Sequence, residues 1–222
     1  MHLYLIRHGQ SHVNLPGWDG AVDAGLTELG QRQAERAAAW LATHLTINAL
    51  YTSTMRRAAE TAAILAPALG LPVQPDDRLR EIGNCWPDAT AVNLETEPPQ
   101  YADYWASERP FSPIAPEGES WGDFVTRVGR FLSEVTARHP ATEDRVLVVC
   151  HGGVMNAALD IAFNVGHWRF VDAWVHNTGI IHFEYRAPAH RQEIWRLHGV
   201  NMAYHLLGDD GTLLGYEREW RG

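Results

Sequence analysis

Short apolar runs alternate along this chain with longer stretches of helical periodicity, and that alternation constrains the fold more than any other feature. Leu3 to Ile6 reads as a strand, followed by an Ala-rich helix up to His44 for which Thr27 is a suitable N-cap. Asn48 to Tyr51 reads as a second strand. After it, TSTMRRAAETAAIL offers several hydroxyl N-caps for a helix that Pro67 should end or kink. Val73 opens another short strand. Arg145 to Cys150 (RVLVVC) is the clearest buried strand, running straight into HGG and a helical stretch from Val154 to Ala162. Segments 179–185 and 191–197 read as further strands, some of them antiparallel. The pattern predicts an α/β fold, a three-layer α/β/α sandwich around a mainly parallel sheet. At 222 residues the chain fits one domain, 1–222, better than two small ones.

Between Gly83 and Gly118 the pattern breaks down into prolines and aromatics. A segment this long and irregular reads as an insertion covering a site, a lid or binding loop, with a packed excursion as the alternative. A helix from Trp121 to His139 then returns the chain to the core. The last 25 residues carry no clear assignment.

Composition narrows the function. With 45% apolar and 20% charged residues the chain should fold in water. A net charge of -9 argues against nucleic acid or an anionic membrane as partner, since both need a positive contact surface. Any anionic substrate must therefore find a local basic pocket. No apolar run reaches the ~18 residues of a membrane span, and the opening HLYLIRHG lacks the features of a secretion signal. Cys85 and Cys150 alone make no disulfide framework, so a cytoplasmic location is expected. Among the 12 histidines no pair has a tight ligand motif such as HExxH, so no metal ligand is assigned.

Four local features carry chemistry, and the first three stand at strand ends, where ligands bind in open α/β sheets. In LIRHGQSHVN, Arg7 beside His8 would bind a phosphoryl oxygen while its charge keeps the imidazole neutral and able to attack. Gly9 permits a tight turn and a close backbone approach to an anion. In STMRRAAETA, adjacent arginines occupy the first turn of a helix, and Arg57 is the better candidate to meet an anion there while Arg56 stays solvated. In RVLVVCHGGVM, His151 and two glycines follow the clearest strand, placing a second imidazole where it could stabilise a transferring group. In LREIG, Glu81 stands at the entrance to the insertion and could protonate a leaving group, then deprotonate water. Taken singly, each has a plainer reading: a surface turn, a solvated arginine pair, a helix-capping histidine, a solvated glutamate.

Together these motifs resemble the histidine phosphatase superfamily, the phosphoglycerate mutase-like proteins, from about residue 3 to residue 180. The resemblance implies that Arg7, His8, Arg57 and His151 form a phosphate pocket, with His8 as nucleophile and Glu81 as proton donor. Asn14 matches the asparagine of RHGxSxxN and would add a phosphate contact. LTELGQRQA (residues 26–34) and PEGES (116–120) also fit the family pattern. Asn177 and Thr178 in HNTGI look like its late strand-start motif, with a peripheral role.

The departures bear on substrate. Many relatives carry Gly then Trp-Glu-Gly after the acidic residue, whereas Glu81 is followed by IGNCWPDA, keeping Trp86 but not the neighbouring glutamate. The insertion holds only Arg109 before Pro116, where cofactor-dependent mutases of this kind carry paired arginines. The resemblance therefore implies a metal-independent phosphatase, without a cofactor, that hydrolyses a small phosphorylated metabolite through a phosphohistidine on His8. A cofactor-dependent phosphoglycerate mutase and a non-catalytic phosphate-binding module are the alternatives. Oligomeric state is open between monomer and homodimer.

Overall fold

The computed structural model describes residues 1–18, 23–82, 110–111, 113, 119–165, 173–186, 195–208 and 212–215. Its strands are β1 (His2–Arg7), β2 (Ala49–Ser53), β3 (Val73–Asp76), β4 (Arg145–Cys150), β5 (Ile180–Tyr185) and β6 (Trp195–Met202). They form one sheet in the order β3-β2-β4-β1-β5-β6. The first four of that order run parallel, and β5 and β6 add an antiparallel edge. The helices are α1 (Glu28–His44), α2 (Arg56–Leu69), α3 (Trp121–Arg138) and α4 (Gly152–Phe163).

Strand side chains alternate between two cores. Leu3, Leu5, Val146 and Val148 pack with Phe124, Phe131 and Met155 of α3 and α4. Tyr4, Ile6, Leu147 and Val149 pack with Ala34, Ala37, Ala58 and Leu65 of α1 and α2. Burial on both faces is why these strands read as unbroken apolar runs. Each such side chain, fully buried, contributes about 1.5–3 kcal/mol. The three-layer sandwich is therefore the observed architecture, with small alanines letting α1 and α2 lie close to the sheet.

Several boundaries differ from the sequence reading. Helix α2 runs past Pro67 to Leu69 and ends at Gly70, whose left-handed φ of 65° lets its N–H reach the Ala66 and Pro67 carbonyls. In the last turn the missing proline N–H removes only one helical bond, so the glycine rather than the proline stops the helix. No hydroxyl side chain caps α2 either. Its N-cap is Met55; the Ser53 hydroxyl accepts from the Met55 N–H at 3.2 Å, and the Asp23 carboxylate accepts from the Arg56 N–H at 2.6 Å. Strand β2 extends to Ser53 and β6 to Met202, farther than their apolar patterns indicated. Thr27 does cap α1, its Oγ1 accepting from the Gly30 N–H at 3.0 Å.

The 83–118 insertion lies outside the described residues apart from Pro110, Phe111 and Pro113. No described helix is long and apolar enough to cross a membrane. Because β2, β4 and β1 are adjacent and parallel, their carboxyl ends come together: Arg7 stands opposite Cys150, and Thr52 opposite Val149. The segments that leave those ends share one rim of the sheet.

Candidate active site

As the chain leaves β1, backbone bonds keep it in register one residue longer. The Arg7 N–H donates to the Gly179 carbonyl at 3.1 Å, and the His8 N–H to the Cys150 carbonyl at 3.0 Å. From the other side, Asn177 Nδ2 donates to the His8 carbonyl at 3.0 Å and the Thr178 N–H to the Arg7 carbonyl at 3.0 Å. Thr178 takes a left-handed φ of 59°, rare for a β-branched residue, with its hydroxyl 2.9 Å from His205 Nε2. The pair read as peripheral thus clamps the backbone of His8. Gly9 is held by Thr61, whose Oγ1 accepts its N–H at 3.0 Å. A Cβ on Gly9 would stand 2.4 Å from the Gly30 carbonyl oxygen, and one on Gly30 would stand 1.9 Å from that of Gln10. The close approach that these glycines permit is between the loop and α1.

His8 and His151 are buried, with ring centroids 5.1 Å apart. His8 Nδ1 lies 2.7 Å from the Gly9 carbonyl and must donate to it; Nε2 then accepts from Arg57 Nε at 3.1 Å. This pairing leaves the Nε2 lone pair facing the guanidinium and the proton on Nδ1. Burial, followed by the charges of Arg57 and Arg7, holds His8 well below the usual histidine range. Burial and Arg57 do the same for His151, with smaller contributions from His8, Arg7 and Arg127. Both imidazoles are neutral at physiological pH.

Arg57 is 5% exposed, whereas Arg56 lies in solvent and pairs with Glu60 at 2.7 Å. The two adjacent arginines point to different environments, as helix geometry requires. Arg7 Nη1 donates to the Val175 carbonyl at 2.6 Å. Its buried Nε, and the buried Nδ1 of His151, have no hydrogen-bond partner among the described residues. An unsatisfied buried polar group costs about 1–3 kcal/mol, which an anion's oxygens would offset. His151 Nε2 is 2.8 Å from the Ser53 hydroxyl, so the end of β2 fixes that ring.

Glu81 reaches the same rim. Its Oε2 accepts from the Gly153 N–H at 3.2 Å, in the first turn of α4, and its Oε1 from the Ile82 N–H at 3.0 Å. Its charge partly counters the effect of burial on both Arg7 and Arg57. Gly153 has a role here that periodicity could not show: a Cβ there would stand 2.2 Å from Glu81 Oε1.

Arg127 of α3 is a residue the sequence reading missed. It donates to the carbonyls of Arg78 at 2.7 Å and Glu81 at 3.2 Å, while ion-paired to buried Glu119 at 2.6 Å. Its only sequence signal is the glutamate of PEGES followed eight residues later by an arginine on a helix. Asn14 is exposed, and its Oδ1 accepts from the Ser11 N–H and hydroxyl, both at 3.0 Å. Those bonds fold the loop after Gly9. Among the described residues, no group with metal-ligand spacing includes His8 or His151.

A family model described as the histidine phosphatase superfamily (branch 1) matches residues 3–198. A glucosyl-3-phosphoglycerate phosphatase of Mycolicibacterium vanbaalenii is 30% identical over 222 residues, covering 93% of this chain and 97% of that protein. A metal-independent phosphoserine phosphatase of Arabidopsis thaliana is 28% identical, covering 78% of this chain and 80% of that protein. Among solved structures, the mycobacterial glucosyl-3-phosphoglycerate phosphatase Rv2419c with VO3 superposes with a TM-score of 0.72 at 29% identity. That match covers 90% of this chain and 99% of the other.

Proposed function

Since the chain belongs to the histidine phosphatase superfamily, branch 1, we propose that it hydrolyses a small phosphomonoester through a phosphohistidine on His8, without a metal. The observation that carries this reading is the buried, neutral His8, whose Nδ1–H is anchored on Gly9 while Nε2 faces Arg57. In the first step Nε2 attacks phosphorus in line, the bond from phosphorus to the ester oxygen breaks, and the Glu81 carboxyl group delivers a proton to the departing alkoxide. Arg57 turns its N–H from the imidazole to a phosphoryl oxygen, and Arg7 and His151 take further oxygens through their buried nitrogens. In the second step Glu81 removes a proton from water as it attacks phosphorus, and the P–N bond breaks. Phosphate leaves and His8 is regenerated. Asn14 adds a phosphate contact. As a cytoplasmic enzyme it would draw on small phosphorylated metabolites, a class that includes the substrates named for its relatives, phosphoserine and glucosyl-3-phosphoglycerate.

The test is hydrolysis of an aryl phosphate and a panel of phosphorylated metabolites at 25 °C in excess EDTA. Turnover should be retained, because guanidinium and imidazole groups supply the charge stabilisation. Loss of most activity, restored by a divalent metal, would overturn the metal-free mechanism. Isomerisation of phosphoglycerate that depends on bisphosphoglycerate, exceeding hydrolysis, would replace the phosphatase reading with a mutase.

Gly153→Ala tests the placement of Glu81. The added methyl group meets a flexible carboxylate rather than backbone, so the fold should hold while the carboxylate moves. Hydrolysis of alkyl phosphates should fall by roughly 10-fold or more. Unchanged alkyl turnover would show that the Glu81 position is immaterial to proton delivery.

A further inference from the structure

At the opposite end of β1 from His8, three imidazoles converge on the antiparallel edge of the sheet. His2 begins β1, His182 lies in β5 and His198 in β6. One ring nitrogen from each lies within 4.8 Å of the others. His2 Nδ1 and His182 Nε2 are 3.0 Å apart, close to the roughly 3.3 Å that separates two nitrogen ligands on a tetrahedral zinc ion. His182 is sandwiched, with Tyr4 stacked at 4.2 Å and His198 at 4.6 Å between ring centroids. His2 and His182 are partly buried; His198 is more exposed and can adjust.

The strand pairing builds this cluster through an irregularity. Phe183 pairs with Leu197 and His182 with Gly199, so His198 is an extra residue in β6, a bulge that brings its ring over that of His182. Glu184 shares the face, its Oε2 2.9 Å from His198 Nε2, and also pairs with Arg186 at 2.6 Å and Arg196 at 3.2 Å. It is placed either to take a fourth ligand position or to orient His198 from behind.

We propose that His2, His182 and His198 form a binding site for a zinc-class divalent ion, with Glu184 as fourth ligand or orienting carboxylate. Three imidazole nitrogens suit zinc and its later transition-metal neighbours, and disfavour magnesium and calcium, which take oxygen ligands. The bound ion ties β1, β5 and β6 together at an edge where, among the described residues, β6 has a strand partner on one side only. The six residue steps from His2 to His8 span roughly 20 Å at strand rise. The ion is therefore a brace for the sheet and stands apart from the phosphate pocket, so this proposal is independent of the phosphatase reading.

The test uses the full chain without a polyhistidine tag, stripped with chelator and titrated calorimetrically with zinc chloride. One zinc per chain should bind, magnesium should not, and a hundredfold excess over Kd should raise Tm by about 5–10 °C. His198→Gln and His2→Gln should each weaken binding at least 10-fold, with circular dichroism confirming the fold and hydrolysis in EDTA unchanged. His8→Ala should bind zinc like the wild type. Absence of stoichiometric binding, or binding that survives both substitutions, would overturn the site. Binding lost in His8→Ala would do so too, by moving the ion to the phosphate pocket.

Discussion

His8→Ala should reduce hydrolysis of every phosphomonoester by at least about 10⁴-fold, because among the described residues no other group beside Arg57 stands ready to form the covalent intermediate. His151 is also neutral and buried, but its Nε2 lies against the Ser53 hydroxyl at 2.8 Å, with the end of β2 holding the ring. The loss should be the same for alkyl and aryl substrates, since leaving-group chemistry cannot compensate for a missing nucleophile. The fold should persist. The Asn177 and Thr178 bonds to this stretch use backbone carbonyls that alanine retains, and Gly9 stays anchored on Thr61. The measurement is kcat/KM across the substrate panel, with mass spectrometry of acid-free quenched samples to locate the phosphoryl group. Turnover retained to within 10-fold, or a phosphohistidine found on His151, would exchange the roles of the two imidazoles.

Glu81→Gln should separate substrates where His8→Ala does not. Alkyl phosphates, whose alkoxides need a proton to depart, should lose about 10²-fold or more in kcat/KM. A nitrophenolate leaves unaided and should suffer less in the phosphorylation step. The amide is nearly isosteric, and its oxygen can still accept from the Gly153 or Ile82 N–H, so the side chain should stay in place. Because water also loses its base, the His8 phosphoenzyme should accumulate in this variant. Rapid-quench measurement of the adduct, alongside single-turnover rates for both substrate types, checks this. Equal losses for alkyl and nitrophenyl substrates in the first step would remove Glu81 as the general acid.

Arg57 illustrates how far local chemistry reaches. Its place in the first turn after a strand and the divergence of neighbouring helical side chains separate it from Arg56, and its burial beside His8 agrees with that reading. Helix α2 shows the limit in the same stretch of chain. Its start depends on Asp23, more than 30 residues earlier, and its end on the left-handed conformation of Gly70 rather than on Pro67. Arg127 escaped notice, and Asn177 was read as peripheral, because both act through backbone carbonyls of distant residues, and a carbonyl leaves no mark on composition or spacing.

By itself the sequence determined the layered α/β architecture, because strands buried on both faces must be apolar at every position and helices between them must show a period near 3.6. It also determined which side chains stand at strand ends, since Arg7 closes its strand and His8 and His151 follow theirs directly in the chain. Only the tertiary structure decided which ends become neighbours, through the parallel order β2-β4-β1, and so which groups share one low-dielectric pocket. It alone brought His2, His182 and His198 to one edge, across a separation of 180 residues between His2 and His182. The physical reason is range: backbone periodicity and capping act over a few residues, whereas charge, burial and ligand geometry act through space between segments whose meeting is settled by packing.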